Sequence, residues 1–229
     1  MGLKYRLTLM NFLQFFIWGS WLITIGGYWF QNKHWTGTEF GAIFSTMGLA
    51  SLFMPALAGV IADRWINAEK LLGFFHLGGA VCLFLVPQMQ NPAQMFTLML
   101  VNMMFYMPTI SLSITVSYSA MKKANMDIVK EYPPIRVFGT IGFIVAMWTV
   151  SLLKIETSSL QFYVASAAAL VLGVYAFTLP KCEVSNNSEK KTLVDTLGLK
   201  AFTLFKEKKM ALFLCLDLLD CYFLENILF

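Results

Sequence analysis

Residues 71–121 read LLGFFHLGGAVCLFLVPQMQNPAQMFTLMLVNMMFYMPTISLSITVSYSAM, a run of 51 positions without one Asp, Glu, Lys or Arg. A membrane-crossing helix needs about 20 predominantly apolar residues, so this run is long enough for two crossings and too long for one. Its natural interruption is Pro87-Gln-Met-Gln-Asn-Pro92, where two prolines bracket polar residues and a turn is favoured over a continuous helix. Lipid cannot hydrogen-bond an exposed peptide group, so both crossings must be helical. The stretch predicts two antiparallel membrane helices joined by a short turn.

The rest of the chain repeats the pattern. No charge lies between Arg6 and Lys33, between Glu39 and Asp63, or between Glu156 and Lys181. With the apolar segment 134–153 these runs predict six spans, at 7–31, 40–62, 71–87, 93–120, 134–153 and 158–179. Of the 229 residues, 58% are hydrophobic and 13% are charged, against about 25% charged in an ordinary soluble domain. A water-facing surface cannot be built from that supply. The first span is too long for a secretory h-region and lacks a small-x-small cleavage site, so it is expected to stay in the protein. The four cysteines are too scattered for a disulfide framework or a metal site and read as small apolar fillers.

Orientation follows from the basic residues, which concentrate in cytoplasmic loops. With the amino terminus inside, fourteen Lys and Arg residues fall on the inner side and only Lys33 and Lys154 on the outer, leaving Arg136 within a span. The net charge of +4 is thus a topological signal, and nucleic-acid binding is not expected. After Pro180 the chain turns polar and lysine-rich. Residues 1–179 are therefore expected to form a six-helix bundle and 180–209 a cytoplasmic linker. Leu193, Leu197, Phe202 and Phe205, interleaved with lysines, predict an amphipathic helix on anionic lipid. Residues 210–229 read as the truncated start of a seventh helix that carries Asp217, Asp220 and Glu225, three carboxylates that are costly in lipid.

Three groups of residues carry candidate chemistry. Arg136, Thr140 and Phe143 lie at i, i+4 and i+7, which puts guanidinium, hydroxyl and ring on one helical face about 10 Å long. An arginine within a span is a functional-site candidate. The same sequence also fits a helix that begins at Pro134, with Arg136 in its first turn reaching out to headgroups, and spacing does not separate the two. Asn11, Gln14, Trp18 and Trp21 line one face of the first span, and Asn102, Tyr106, Thr109 and Ser113 one face of the fourth, as pore-lining or helix-packing residues do. Pro108, two residues after Tyr106, frees backbone groups at mid-span and predicts a kink or gate. An intramembrane enzyme is not expected: the only histidines are His34 in an outer loop and His76 alone in an apolar helix, without paired ligands or bases.

Gly59-Val-Ile-Ala-Asp63-Arg64-Trp65 looks like the loop signature of the major facilitator superfamily, with Trp65-Ile-Asn where the fuller pattern has glycine and basic residues. That resemblance implies close helix approach at Gly59 and an inner gate steadied by Asp63 and Arg64. A narrower resemblance rests on Phe12-Leu-Gln14-Phe-Phe-Ile-Trp18-Gly-Ser-Trp21-Leu, Phe53-Met-Pro-Ala-Leu-Ala-Gly59, Tyr106-Met-Pro-Thr109, Met126-Asp-Ile-Val and Pro133-Pro-Ile-Arg136 through Phe143. In order along the chain to about residue 216, these segments resemble the bacterial nucleoside:proton symporters. The resemblance implies an all-α fold, the amino-terminal six-helix bundle of a twelve-helix inner-membrane permease. It implies alternating access, with nucleoside and protons as partners and no metal or organic cofactor. It places substrate contacts on Arg136, Thr140 and Phe143, which favours the binding face over the first-turn reading, and Gln14 and Tyr106 join them as candidates. The family's glutamine and asparagine in helix seven align with Glu225 and Leu228, which do not match, and the tail from Asp217 departs from the pattern. A truncated first half is the expectation, unlikely to transport alone. A sugar:proton symporter of the same superfamily and a non-functional truncation product are the alternatives.

Overall fold

A computed structural model describes residues 2–182, and these are helical with short connections. The helices are α1 (Leu3–Gly19), α2 (Ile25–Gly27), α3 (Gly37–Arg64), α4 (Ala68–Leu85), α5 (Pro92–Lys123), α6 (Ile128–Leu152) and α7 (Leu160–Ala176). The expected linker beyond Cys182 and the expected seventh helix lie outside the described residues. At 1.5 Å per residue α3, α5 and α6 run about 37 to 48 Å, more than the roughly 30 Å of hydrocarbon they must cross. With α4 extended by the 3-10 turn Val86–Gln88, these are the four helices among the described residues that are long and apolar enough to span unaided. The first and sixth crossings use shorter pieces.

Helix ends follow local chemistry. Thr36 and Glu39 form a capping box at the start of α3, and the Asn91 side chain accepts from the Gln94 amide ahead of α5 at 2.9 Å, with Pro92 in the first turn. The break between Gln88 and Pro92 is the turn expected from the two prolines. Asn125 and Lys154 take positive φ, 51° and 54°. Each lies just past a helix, where the next amide reaches back five residues, Met126 to Met121 and Ile155 to Val150.

Two expected spans are corrected. The first is not one helix over 7–31: α1 stops at Gly19, the Ser20 hydroxyl takes the Phe16 carbonyl at 2.7 Å, and the chain resumes as α2 and a π turn, Tyr28–Asn32. The fifth does not begin at Pro134. Asp127 caps α6 by accepting from the Val129 and Lys130 amides, and Pro133 and Pro134 lie inside the helix. Arg136 is thus two turns into α6, not in its first turn.

The helices pack α1 against α6 and α7, α3 against α5, and α4 against α5 and α7. Small residues allow the closest approaches, because lipid supplies no hydrophobic drive between helices and contact depends on shape. A Cβ on Gly142 of α6 would lie 2.2 Å from the Phe12 carbonyl of α1, and one on Gly19 would lie 2.5 Å from the Phe143 carbonyl. At one end of the bundle α1 and α6 are joined by the Lys4–Glu131 ion pair. There too Arg6 donates to the Thr178 carbonyl, Lys123 to that of Lys181 and Asn67 to that of Cys182. The outward faces are apolar: Leu52, Trp148 and Leu152 are 80%, 65% and 83% exposed, as side chains meeting lipid or another bundle must be.

Candidate nucleoside-contact face

Pro133 and Pro134 lack the N–H groups that would bond back one turn, yet α6 continues through them, and the next turn carries Arg136. The guanidinium carbon of Arg136 sits 4.0 Å from the centroid of the Phe15 ring on α1. Gly139, one turn on, leaves room for this: its missing Cβ would fall 2.7 Å from both an Arg136 nitrogen and the Phe15 ring. A guanidinium stacked on a ring keeps the N–H groups in its plane free to donate. Arg136 and Thr140, with Tyr132, Pro133 and Val137, all on α6, line an open groove of about 480 Å³. The Tyr132 hydroxyl is buried without a hydrogen-bond partner in this wall. Phe143 lies one turn beyond Thr140, half-buried, with its backbone against Gly19.

Gln14 and Tyr106 do not line that groove. Both are buried, at 0% and 6% exposed, in a second cluster where α1, α4 and α5 meet. The Thr109 hydroxyl donates to the Tyr106 carbonyl at 2.5 Å, so its oxygen accepts from Gln14 Nε2 at 2.7 Å. That fixes the Gln14 amide with Oε1 toward His76 Nε2 at 2.8 Å. Oε1 only accepts, so His76 carries its hydrogen on Nε2. The Tyr106 hydroxyl closes the circuit by donating to the Gln14 backbone carbonyl at 2.7 Å.

The two clusters are linked by rings. Phe15 lies 6.4 Å from Trp18, and Trp18 lies 5.6 Å from Tyr106. The structure therefore brings Arg136 and Thr140 together and sets Gln14 and Tyr106 behind them, across an aromatic layer. Sequence reasoning missed Phe15 and Tyr132, since nothing in the order of residues says which of Phe12, Phe15 and Phe16 an arginine will stack on. His76 was visible only as an isolated polar residue.

Gly59, Asp63 and Arg64 occupy exposed positions in the last two turns of α3. The expected close approach at Gly59 is not found among the described residues. A Cβ there would meet nothing within 4 Å, because this stretch of α3 faces outward while Ala58 and Ala62 pack inward.

Apolar helices long enough to cross a membrane, packed into one bundle, define a multi-pass membrane protein, and the fold is that of one half of a major facilitator transporter. Its relatives sharpen this. The family model described as nucleoside H+ symporter matches residues 1–229, so the chain belongs to that family. The match runs through the tail after residue 216, where the sequence reading had the resemblance end. The chain is 51% identical over 213 residues to a xanthosine permease of Escherichia coli K12, covering 93% of this chain and 51% of that protein. It is 44% identical over 219 residues to the nucleoside permease NupG of the same organism, covering 96% and 52%. Crystal structures of the nucleoside transporter NupG match with TM-scores of 0.86 for a point mutant and 0.83 for another form, at 44% and 45% identity, each covering 93% of this chain and 53% of the other. The chain spans about half the length of the relatives it matches.

Proposed function

We propose that this chain supplies the first bundle of a bacterial inner-membrane carrier that takes up nucleosides with protons by alternating access, its amino terminus in the cytoplasm. The observation that carries the reading is the Arg136 guanidinium, held 4.0 Å over Phe15 at the wall of a groove it shares with Thr140. Nucleosides offer sugar and base oxygens that accept hydrogen bonds and a flat base that stacks. Arg136 and Thr140 supply donors for the first, and Phe143 supplies a ring for the second. Asp63 and Arg64, at the end of α3, are the gate-side charges of this reading. The basic residues Lys4 and Arg6 on α1, Lys122 and Lys123 at the end of α5 and Lys130 at the start of α6 support the orientation.

Carriers of this class place the substrate between two bundles, so the test uses a hybrid in which residues 1–182 are joined to the remaining half of NupG. Equilibrium uridine binding to the purified hybrid should weaken about ten- to hundredfold on Arg136→Ala, the equivalent of one charged hydrogen bond lost. Unchanged affinity in folded protein would remove Arg136 from the site.

A further inference from the structure

We infer that His76 is a positioning residue for the nucleoside site, acting through Gln14 to set the face that α1 presents to Arg136; this rests on the reading of Arg136 as a substrate contact. Gln14 is held at three points, by His76 on its amide oxygen, by Thr109 on its amide nitrogen and by Tyr106 on its backbone carbonyl. Those partners come from two helices, α4 and α5, neither of which carries Arg136. Gln14 is fully buried and His76 is 2% exposed, so no water replaces a lost partner.

The anchor acts on the adjacent residue. Phe15, the platform under Arg136, is next in sequence to Gln14, and Trp18 lies one turn further on, packed against both Phe15 and Tyr106. Three bonds at Gln14 therefore fix the rotation of α1 about its own axis, and with it where the Phe15 ring lies. For side chains about 5 Å from a helix axis, a rotation of about 10° moves the ring roughly 1 Å, comparable to the tolerance of a positioned contact. Without the His76 donor, the Gln14 amide oxygen is left unpaired in the apolar core, and the amide must turn or α1 must rotate to relieve it.

The experiment uses His76→Leu, which removes the donor, and His76→Gln, which returns an Nε2–H at similar reach. Both are made in the hybrid beside Arg136→Ala, with uridine affinity measured on the monodisperse fraction and thermal midpoint measured separately. The expected result is about tenfold weaker binding for His76→Leu, and affinity within about threefold of the parent for His76→Gln. A lowered midpoint with parental affinity for His76→Leu, while Arg136→Ala loses binding, overturns the inference and leaves the proposed function standing. So does a His76→Gln variant as weak as His76→Leu. If Arg136→Ala binds like the parent, both fall together. Should His76→Leu yield no folded protein, Thr109→Val removes the acceptor on the other side of the same amide. Weakened binding there supports the inference, and parental binding overturns it.

Discussion

In the proposed site, Arg136 brings five N–H donors into a span, and recognition beyond it would be divided between the Thr140 hydroxyl and the Phe143 ring. Thr140→Val keeps the side-chain shape and deletes the hydroxyl, so any loss of uridine affinity in the hybrid reports one polar contact, expected at about 0.5–1.5 kcal/mol, or roughly two- to tenfold. Phe143→Ala should cost a similar amount and Phe143→Tyr much less, because stacking survives. Competition with unlabelled uridine measures both. The i, i+4 spacing of Arg136 and Thr140 was legible because helical geometry alone puts them on one face. What lay underneath was not. Phe12, Phe15 and Phe16 are equally plausible platforms in sequence, and only the rotation of α1, set by Gln14 and its partners, selects Phe15. Gln14 and Tyr106 were read as possible pore-lining residues. Their burial behind the aromatic layer follows from hydrogen bonds between helices that one-dimensional spacing does not encode.

At the scale of elements, the contact between α1 and α6 holds Phe15 against Arg136 in the proposed site, and it is made by backbone passing close to backbone. Gly142→Ala would place a methyl 2.2 Å from the Phe12 carbonyl. No side-chain rotation relieves that, so α1 and α6 must separate. The variant should fail to give a monodisperse peak in size-exclusion chromatography, or should melt well below the parent. Gly139→Ala meets the Arg136 and Phe15 side-chain tips, which can move, so it should fold while disturbing uridine affinity. Gly59→Ala meets nothing within 4 Å and should leave the thermal midpoint unchanged or slightly raised, since alanine is the better helix former. Most helix boundaries were legible from charge and proline. The exceptions are local: the Asp127 cap outweighs Pro133 and Pro134 in starting α6, and α1 ends at Gly19, where the Phe16 carbonyl accepts both the Ser20 amide and the Ser20 hydroxyl.

For the whole molecule, the asymmetry of basic residues predicts the sidedness. In a cysteine-free background, cysteine at Lys33 or Lys154 should react with an impermeant maleimide added to the periplasmic side of intact cells, and cysteine at Lys122 should react only after permeabilisation. The opposite pattern would reverse the orientation. Composition and charge-free runs made the membrane bundle legible, whereas a site shared between two bundles, as the proposed function has it, is set by packing that residue order does not encode. The most direct measurement is uridine uptake into proteoliposomes with an imposed acid-outside gradient. The hybrid should accumulate uridine, collapse of the gradient by a protonophore should abolish accumulation, and neither residues 1–229 alone nor the hybrid carrying Arg136→Ala should accumulate it at the parent's rate. Parental uptake by the Arg136→Ala hybrid, or uptake of a disaccharide in place of uridine, would contradict the account.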